Sequence, residues 1–454
     1  MASALVVRVA ETILRYNMLP HGHRVGVAVS GGADSIFLLM VLHELARERR
    51  WRLTVLHLNH ALRANESDLD EALVRETALR LALPCVIERA VDLRGPNLEE
   101  KAREARYAFF ARAAAGNSLD CAATAHTVDD QAETFLLRLL RGAAGAGLAG
   151  IAPVSHGQGV IVRPLLEIER AGIEAWLRER HIAWREDSSN RDPAFTRNRV
   201  RHDLLPLLER DWNPGIRRLL AGTADIFAAE EEYWRQWADA ELSSAARPFG
   251  SGSGLILELN RLASLHPAAL RRLLRRTVER VKGDLRRVDR QHIYRIEQLC
   301  RSRLGNGSVT LPGLVALRSF DRILFVKRQA GSTVFAIDVV SPGAVQVPGG
   351  GTLHFRVALP PLRTGYTKGA GDCSGVIDPP VVVRSWQPGD AYQPTGYVRR
   401  RKLKELFYEA QVPSWERALW PIIESDGQIV WTRRFGFAAG VELNWTCEDE
   451  IHAG

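Results

Sequence analysis

Cysteine is scarce in this 454-residue chain: Cys85, Cys121, Cys300, Cys373 and Cys447 stand far apart, and no two make a C-x-x-C pair. That spacing argues against a zinc knuckle, a clustered iron–sulfur ligand set and a redox dithiol. Long apolar runs are missing too. None approaches the roughly 18 residues that a membrane span requires. Arg8, Glu11 and Arg15 interrupt the stretch where a secretory leader would carry its apolar core. A cytoplasmic protein with no membrane partner is expected. There is no internal repeat and no long low-complexity tract. What remains is the composition of a soluble globular protein, 46% hydrophobic and 25% charged, long enough for two or three domains at about 150 residues each. Its net charge of +8 makes nucleic acid a mild favourite over small acidic ligands.

One hexapeptide carries the most chemistry. Ser30-Gly31-Gly32-Ala33-Asp34-Ser35 follows the apolar run 25–29 and precedes an amphipathic stretch from Ile36 to Arg47, an order that reads strand, glycine turn, helix. Glycines let backbone N–H groups close on an anion, and the first helical turn adds unpaired donors and a positive dipole end. The turn therefore suits phosphate. It is neither a Walker A loop, since Gly-Lys-Ser/Thr is absent, nor a fingerprint of spaced glycines. Asp34 sets it apart, because a carboxylate sits well beside phosphates when a magnesium ion takes oxygen ligands from both. The plainer alternative is a sharp turn in which Asp34 or Ser35 caps the helix.

Short apolar runs at 25–29, 53–58, 85–91, 121–125 and 160–162 alternate with segments long enough for crossover helices. This is the α/β pattern of a doubly wound parallel sheet covered on both faces. Ligands of such sheets bind beyond the carboxyl ends of the strands. The glycine loop follows the first run; His57, Asn59 and His60 follow the second; His126, Asp129 and Asp130 follow the fourth. Three polar clusters thus converge on one edge. No third soft ligand accompanies His57 and His60, so a structural or substrate-contacting role is expected rather than zinc. Thr127, Asp129, Asp130 and Glu133 open a predicted helix, with like charges at spacings of three and four. A guest cation, metal or ammonium, accounts for them. So does a cap on Thr127 with Asp130 in a capping-box role.

Residues 186–201 are rich in Asp, Asn and Arg, and a domain boundary is expected near residue 215, just past Pro214. Beyond it a helical, basic pattern includes Arg271, Arg272, Arg275, Arg276 and Arg280, followed by strand-like runs near 309–317 and 323–326. A last region, mostly strands and turns, holds Arg399, Arg400, Arg401, Lys402 and Lys404 near Tyr392, Tyr397 and Tyr408. Cations with interleaved aromatics suit a phosphate backbone and unstacked bases. An exposed basic helix end is the simpler reading. Three domains are expected, 1–215, 216–335 and 336–454.

Taken together, these residues resemble the tRNA(Ile)-lysidine synthetases of the N-type ATP pyrophosphatase, or PP-loop, superfamily. Residues 30–35 are similar to S-G-G-x-D-S, His57 to Arg63 to H-x-N-H-x-L-R, and Ala125 to Thr134 to A-H-H-x-D-D-Q-x-E-T. Asp187-Ser188-Ser189-Asn190, Arg197-Asn198-Arg199 and Pro388-Gly389-Asp390 with Lys402-Leu403-Lys404 also follow the long form of the family. The resemblance implies a PP-loop α/β domain, then a mainly helical basic domain that binds tRNA, then a small α+β domain for substrate recognition. It implies ATP and Mg2+ as cofactors, and L-lysine and a tRNA(Ile) with a CAU anticodon as partners. ATP adenylates the C2 oxygen of the wobble cytidine, and the lysine ε-amine then displaces AMP to leave lysidine, changing the codon read from AUG to AUA. On this resemblance Asp34, Asp129, Asp130 and Glu133 are catalytic, with Asp34 the magnesium ligand. Ser30, Gly31, Gly32, Ala33, Asp34, Ser35, His57, Asn59, His60, Arg63 and His126 would bind ATP. Arg103, Arg106, Arg197, Arg201, Arg275, Arg276, Arg399, Arg400, Arg401, Lys402 and Lys404 would bind tRNA. Whether one copy or a homodimer works is left open.

Two departures stand out. Thr127 occupies the place of a second family histidine, and Ala143 and Ala144 replace a usual Ser and Gly. The nearest rival is a PP-loop tRNA thiolase or another adenylating tRNA-modifying enzyme. Thiolases often carry paired cysteines, which this chain lacks. A non-catalytic tRNA-binding protein with a degenerate nucleotide fold would have lost Asp34 or a loop glycine, and both are retained.

Overall fold

Runs of Val and Leu too short for helices, separated by helix-length segments, build a layered α/β unit. The structure is a computed structural model and describes residues 3–59, 65–90, 98–186, 196–250, 253–302, 305–328, 334–341, 343–348, 352–357, 380–439 and 445–450. The chain divides into two compact units, Met1–Tyr233 and Trp234–Gly454. In the first, α1 (Ala4–Arg15) is followed by β1 (Arg24–Ala28), α2 (Ala33–Arg49), β2 (Arg52–Asn59), α3 (Asn65–Arg80), β3 (Cys85–Arg89) and α4 (Leu98–Gly116). Then come β4 (Cys121–Ala123), α5 (Val128–Leu140), β5 (Val154–His156), β6 (Val160–Val162) and α6 (Arg170–Glu179).

The sheet runs β3-β2-β1-β4-β6-β5. Its first five strands are parallel, with Val25 opposite Leu53 on one side and Cys121 on the other. The sixth, β5, is antiparallel to β6, an edge hairpin that the apolar runs did not announce. Successive strands step away from β1 in one direction and then resume at β4 on its other side, so the carboxyl end of β1 is the switch point where such sheets bind ligands. Both faces are covered. On one, α2 buries Ile36, Phe37, Leu38 and Leu39 completely, and Phe37 meets Trp176 of α6 edge-on at 5.1 Å. On the other, Phe109 and Phe110 of α4 pack with Leu56, Ala122 and Ile161. Gly26 of β1 has no room for a side chain, because a Cβ there would stand 2.6 Å from Leu56 Cδ1.

A helical run closes the unit: α7 (Thr196–Arg199), a π turn over Val200–Leu204, α8 (Leu205–Asp211) and α9 (Ile216–Ala245), which continues past Tyr233 into the second unit. Leu205, Leu220 and Ala224 from this run pack on Phe135 and Leu136 of α5.

After the end of α9 the second unit continues with β7 (Arg247–Phe249), β8 (Gly254–Glu258), α10 (Leu259–Ala263), α11 (Pro267–Lys282), α12 (Arg290–Arg301), β9 (Asn306–Leu311), β10 (Leu314–Ser319) and β11 (Arg322–Lys327). Beside the expected helices stands an antiparallel sheet of order β7-β8-β11-β10-β9, more strand than two apolar runs suggested. Leu273, Leu274 and Val278 of α11 and Ile296 of α12 join its Leu257, Leu314 and Phe325 in one core. The remainder comprises β12 (Ala336–Val339), β13 (Gly343–Gln346), β14 (Thr352–Val357), β15 (Val381–Ser385), β16 (Ala391–Tyr392), β17 (Arg401–Lys402) and α13 (Leu403–Glu409). It ends with α14 (Ser414–Arg417), β18 (Pro421–Ser425), β19 (Gln428–Thr432), β20 (Gly436–Phe437) and β21 (Trp445–Glu450). Antiparallel sheets β12-β15-β18-β19-β20 and β13-β14-β21 form here. Among the described residues no helix is long and apolar enough to cross a membrane.

Candidate active site

The glycine loop lies at the switch point, between the end of β1 and the start of α2. Gly31 has φ 93°, a left-handed conformation that favours glycine. Gly32 is the N-cap of α2 and offers no side-chain cap, so the first helical N–H groups are left for another acceptor. Ser35 braces the loop from within. Its hydroxyl donates to the Gly32 carbonyl at 2.9 Å, accepts from the Ser30 N–H at 3.1 Å and lies 3.2 Å from the Ser30 hydroxyl. The loop is thus tied by side chains and open through its main chain.

Asp34, in the first turn of α2, carries an unsatisfied oxygen. Its Oδ1 is buried with no hydrogen-bond partner, and the nearest cation to Oδ2 is Arg170 Nη1 at 3.8 Å. Burial pushes its pKa up to about 7, against Arg170 and helped by Asp130 and Asp129. The capping alternative for Ser35 and Asp34 gives way to a braced loop with one idle carboxylate oxygen.

His57, at the end of β2, donates from Nδ1 to the Val29 carbonyl at 2.8 Å, which makes Nε2 an acceptor; it is buried without a partner. Burial lowers the pKa of this ring, keeping it neutral. Asn59 turns to α3: its amide reaches Glu71 Oε2 at 3.0 Å and Asp68 Oδ1 at 3.3 Å. His60, Arg63 and the motif Asp187 to Asn190 lie outside the described residues. His126 meets Thr124 Oγ1 through Nδ1 at 3.0 Å, and burial, with Arg163, Arg197 and Arg106 nearby, takes its pKa down to about 4.

The carboxylates of α5 are held by arginines from the closing helices. Thr127 caps α5: Thr127 Oγ1 accepts from the Asp130 N–H and Asp130 Oδ2 from the Thr127 N–H, a full capping box at the position of the missing histidine. Asp130 Oδ1 also accepts from Arg197 Nη2 at 2.7 Å. Burial pushes the Asp130 pKa up, yet Arg197, His126 and the Thr127 N–H outweigh it and hold the carboxyl below its ordinary value. Glu133, fully buried, accepts from Arg197 Nε at 2.8 Å, Arg201 Nη2 at 3.1 Å and Arg201 Nε. Asp129 accepts from Arg217 Nη1 and from the Arg170 backbone N–H, both at 2.9 Å. Three arginines therefore pair with the cluster for which the spacing suggested a guest cation or a capping box. Arg170 and Arg217 escaped sequence reading because they come from segments 41 and 88 residues downstream of Asp129. The loop after α5, with Ala143 and Ala144 in it, is braced instead by Arg138 on the Gly147 and Gly150 carbonyls and by Gln131 on Ile151.

The basic residues separate into held and open groups. Arg197 and Arg201 serve the acidic cluster, Arg276 pairs with Asp239 and Glu279, and Arg401 pairs with Glu405 and Glu409. Arg400 donates to the Ala391 carbonyl, and the Arg103 guanidinium lies over the Tyr107 ring at 5.1 Å. Arg106, Arg275, Arg399, Lys402 and Lys404 are exposed. Asp390 of the Pro388-Gly389-Asp390 turn takes a two-pronged bond from Arg384, both arms at 2.9 Å, and its carbonyl accepts from the Leu403 N–H, fixing the basic loop to α13.

Comparison with known proteins adds to this geometry. A PP-loop domain profile matches residues 5–208, a TilS substrate binding domain profile residues 257–325, and a TilS substrate C-terminal domain profile residues 381–451. The chain is 42% identical to a tRNA(Ile)-lysidine synthase of Solibacter usitatus, covering 93% of this chain and 96% of that protein. It is 37% identical to one of Geobacter sulfurreducens, covering 94% and 92%. With a glycine loop at the switch point and relatives that match it almost end to end, the chain belongs to the tRNA(Ile)-lysidine synthase family.

Proposed function

We propose that this protein joins lysine to C2 of the wobble cytidine in a CAU-anticodon tRNA(Ile), using ATP and releasing AMP and pyrophosphate. The near end-to-end likeness to tRNA(Ile)-lysidine synthases is the observation that carries this reading. The cytidine C2 oxygen attacks the α-phosphorus and pyrophosphate leaves; the lysine amine then attacks C2 and AMP leaves. Main-chain N–H groups of residues 31–35 receive the phosphates, and the α2 dipole favours their charge.

Magnesium fits this loop. The idle Oδ1 of Asp34 is a hard oxygen donor, and among the described residues no group of three His, Cys, Asp or Glu is assembled for a metal. Magnesium is commonly bound through one or two carboxylates plus substrate phosphates. Held by Asp34, it would supply charge neutralisation on the departing pyrophosphate. Lysine is assigned to Asp129 and Asp130, whose side chains keep 15% exposure, while Glu133 keeps 1% and orders Arg197 and Arg201. Neutral His126 and His57 are assigned hydrogen bonds to the nucleotide or base.

The exposed Arg106, Arg275, Arg399, Lys402 and Lys404 hold tRNA phosphates, with 1–215 as catalytic domain and 216–335 and 336–454 as tRNA-binding and recognition domains. A cytoplasmic location follows from these substrates. A thiolase reading finds no support in the cysteines, since burial pushes the Cys121 and Cys300 thiols up to about 12.

The test incubates the protein with ATP, lysine and a CAU-anticodon tRNA(Ile) transcript and reads nucleoside masses. A lysine adduct on the wobble cytidine is expected, with none on a tRNA(Met) sharing that anticodon. No adduct, or sulfur in its place, sinks the reading.

A further inference from the structure

We propose that Asp70 and Arg185 form a latch that holds the glycine loop in its phosphate-receiving shape, which makes them positioning residues for ATP. The proposal rests on the reading of residues 30–35 as the ATP phosphate site. Neither residue belongs to a motif that the sequence singles out.

Two hydrogen bonds and the space beside the glycines define the latch. The Arg185 backbone N–H donates to the Gly31 carbonyl at 3.0 Å. The Arg185 Nε donates to Asp70 Oδ1 at 2.6 Å. The open sides of both glycines face the pair: a Cβ on Gly31 would stand 3.6 Å from Asp70 Cβ, and one on Gly32 3.9 Å from the Arg185 carbonyl oxygen. The loop is thus flanked by α3 through Asp70 and by the segment after α6 through Arg185. That segment is itself anchored, with Ile182 and Trp184 packed on the core and the Arg178 guanidinium 5.8 Å above the Trp184 ring. Beside Asp70, α3 is tied to β2 by the Asn59 amide, which reaches Asp68 and Glu71.

The physical case is pre-organisation. A left-handed glycine between two flexible peptide units can turn its N–H groups away from an anion at little cost. A hydrogen bond to the Gly31 carbonyl from an anchored strap removes those alternatives before the nucleotide arrives, and the ion pair keeps the strap in register. A latch of this kind serves the bound nucleotide in the ground state and the transition state alike, so it sets affinity and KM for ATP more than kcat.

The test uses the full-length protein with Asp70→Ala, Arg185→Ala, the double variant and Arg185→Lys. ATP affinity is measured by calorimetric titration without tRNA, and KM for ATP and for lysine in the lysidine assay. Each single alanine variant should weaken ATP binding about tenfold, and the double variant no further, because the two side chains act through one contact. Arg185→Lys should retain most of the affinity, with KM for lysine and the melting temperature near wild type. Unchanged ATP affinity in the single variants overturns the latch. So does a double variant whose loss is the product of the singles, or an equal rise in KM for lysine. A wild-type chain that binds ATP yet makes no lysidine sinks the assigned reaction instead, and the titrations then decide the latch alone.

Discussion

At Asp34 two demands on one carboxyl group conflict. Burial favours the neutral form and lifts its pKa to about 7, whereas a cation needs the charge. Between its ordinary value of 3.8 and about 7 the folded protein binds the proton that the unfolded chain has released, so this group's contribution to stability is lost as pH rises. Asp34→Asn should therefore stabilise the metal-free protein above neutral pH, by on the order of 2 kcal/mol, in denaturant titrations. The same variant should lower lysidine formation roughly a hundredfold or more. His126 has the opposite sign. Its folded pKa is near 4 against an ordinary 6.5, so the unfolded chain binds more protons in that window and stability falls as pH drops from 6.5 to 4. His126→Asn should flatten that part of the stability profile, and an unchanged acid slope would contradict the burial of the ring.

The capping box of α5 shows what one helix end contributes. Thr127→Val removes the hydroxyl that accepts from the Asp130 N–H and should cost about 1 kcal/mol by thermal or denaturant unfolding. The variant also removes the bond from the Thr127 hydroxyl to Asp130 Oδ2 at 3.2 Å, and should raise KM for lysine. Much of this architecture was legible in the sequence. The parallel strands announce themselves because both faces are buried and their residues read as unbroken apolar runs, and the polar clusters after three of them lie at the strand ends as expected. The edge strands β5 and β7 did not, since Val154-Ser155-His156 and Arg247-Pro248-Phe249 are not apolar runs, and β8 lay within a stretch that reads as helical. The arginines on Asp129, Asp130 and Glu133 were beyond reach for another reason. Carboxylate spacing along α5 says that compensation is needed, but Arg197, Arg201 and Arg217 are brought there only by the packing of the closing helices.

For the whole chain, the cations left exposed after internal pairing define the electrostatic footprint. If Lys402 and Lys404 each meet a phosphate, Lys402→Glu and Lys404→Glu should weaken tRNA binding and reduce the slope of log affinity against log salt by about one each. Equal slopes in wild type and variants would remove these residues from the interface. Arg401→Glu is a poor probe, because its guanidinium already serves Glu405 and Glu409.

The long helix α9 has a practical consequence. It begins at Ile216, one residue past the sequence-based domain limit, yet its first turns carry Arg217 to Asp129 and Leu220 and Ala224 to the apolar side of α5. A polypeptide ending at residue 215 would leave Phe135 and Leu136 facing water and Asp129 without its arginine. Such a fragment should aggregate or be digested quickly by protease, whereas one ending after Tyr233, where the first compact unit ends, should survive as a discrete product, so a point within the helix, rather than the loop before it, sets where this enzyme can be cut.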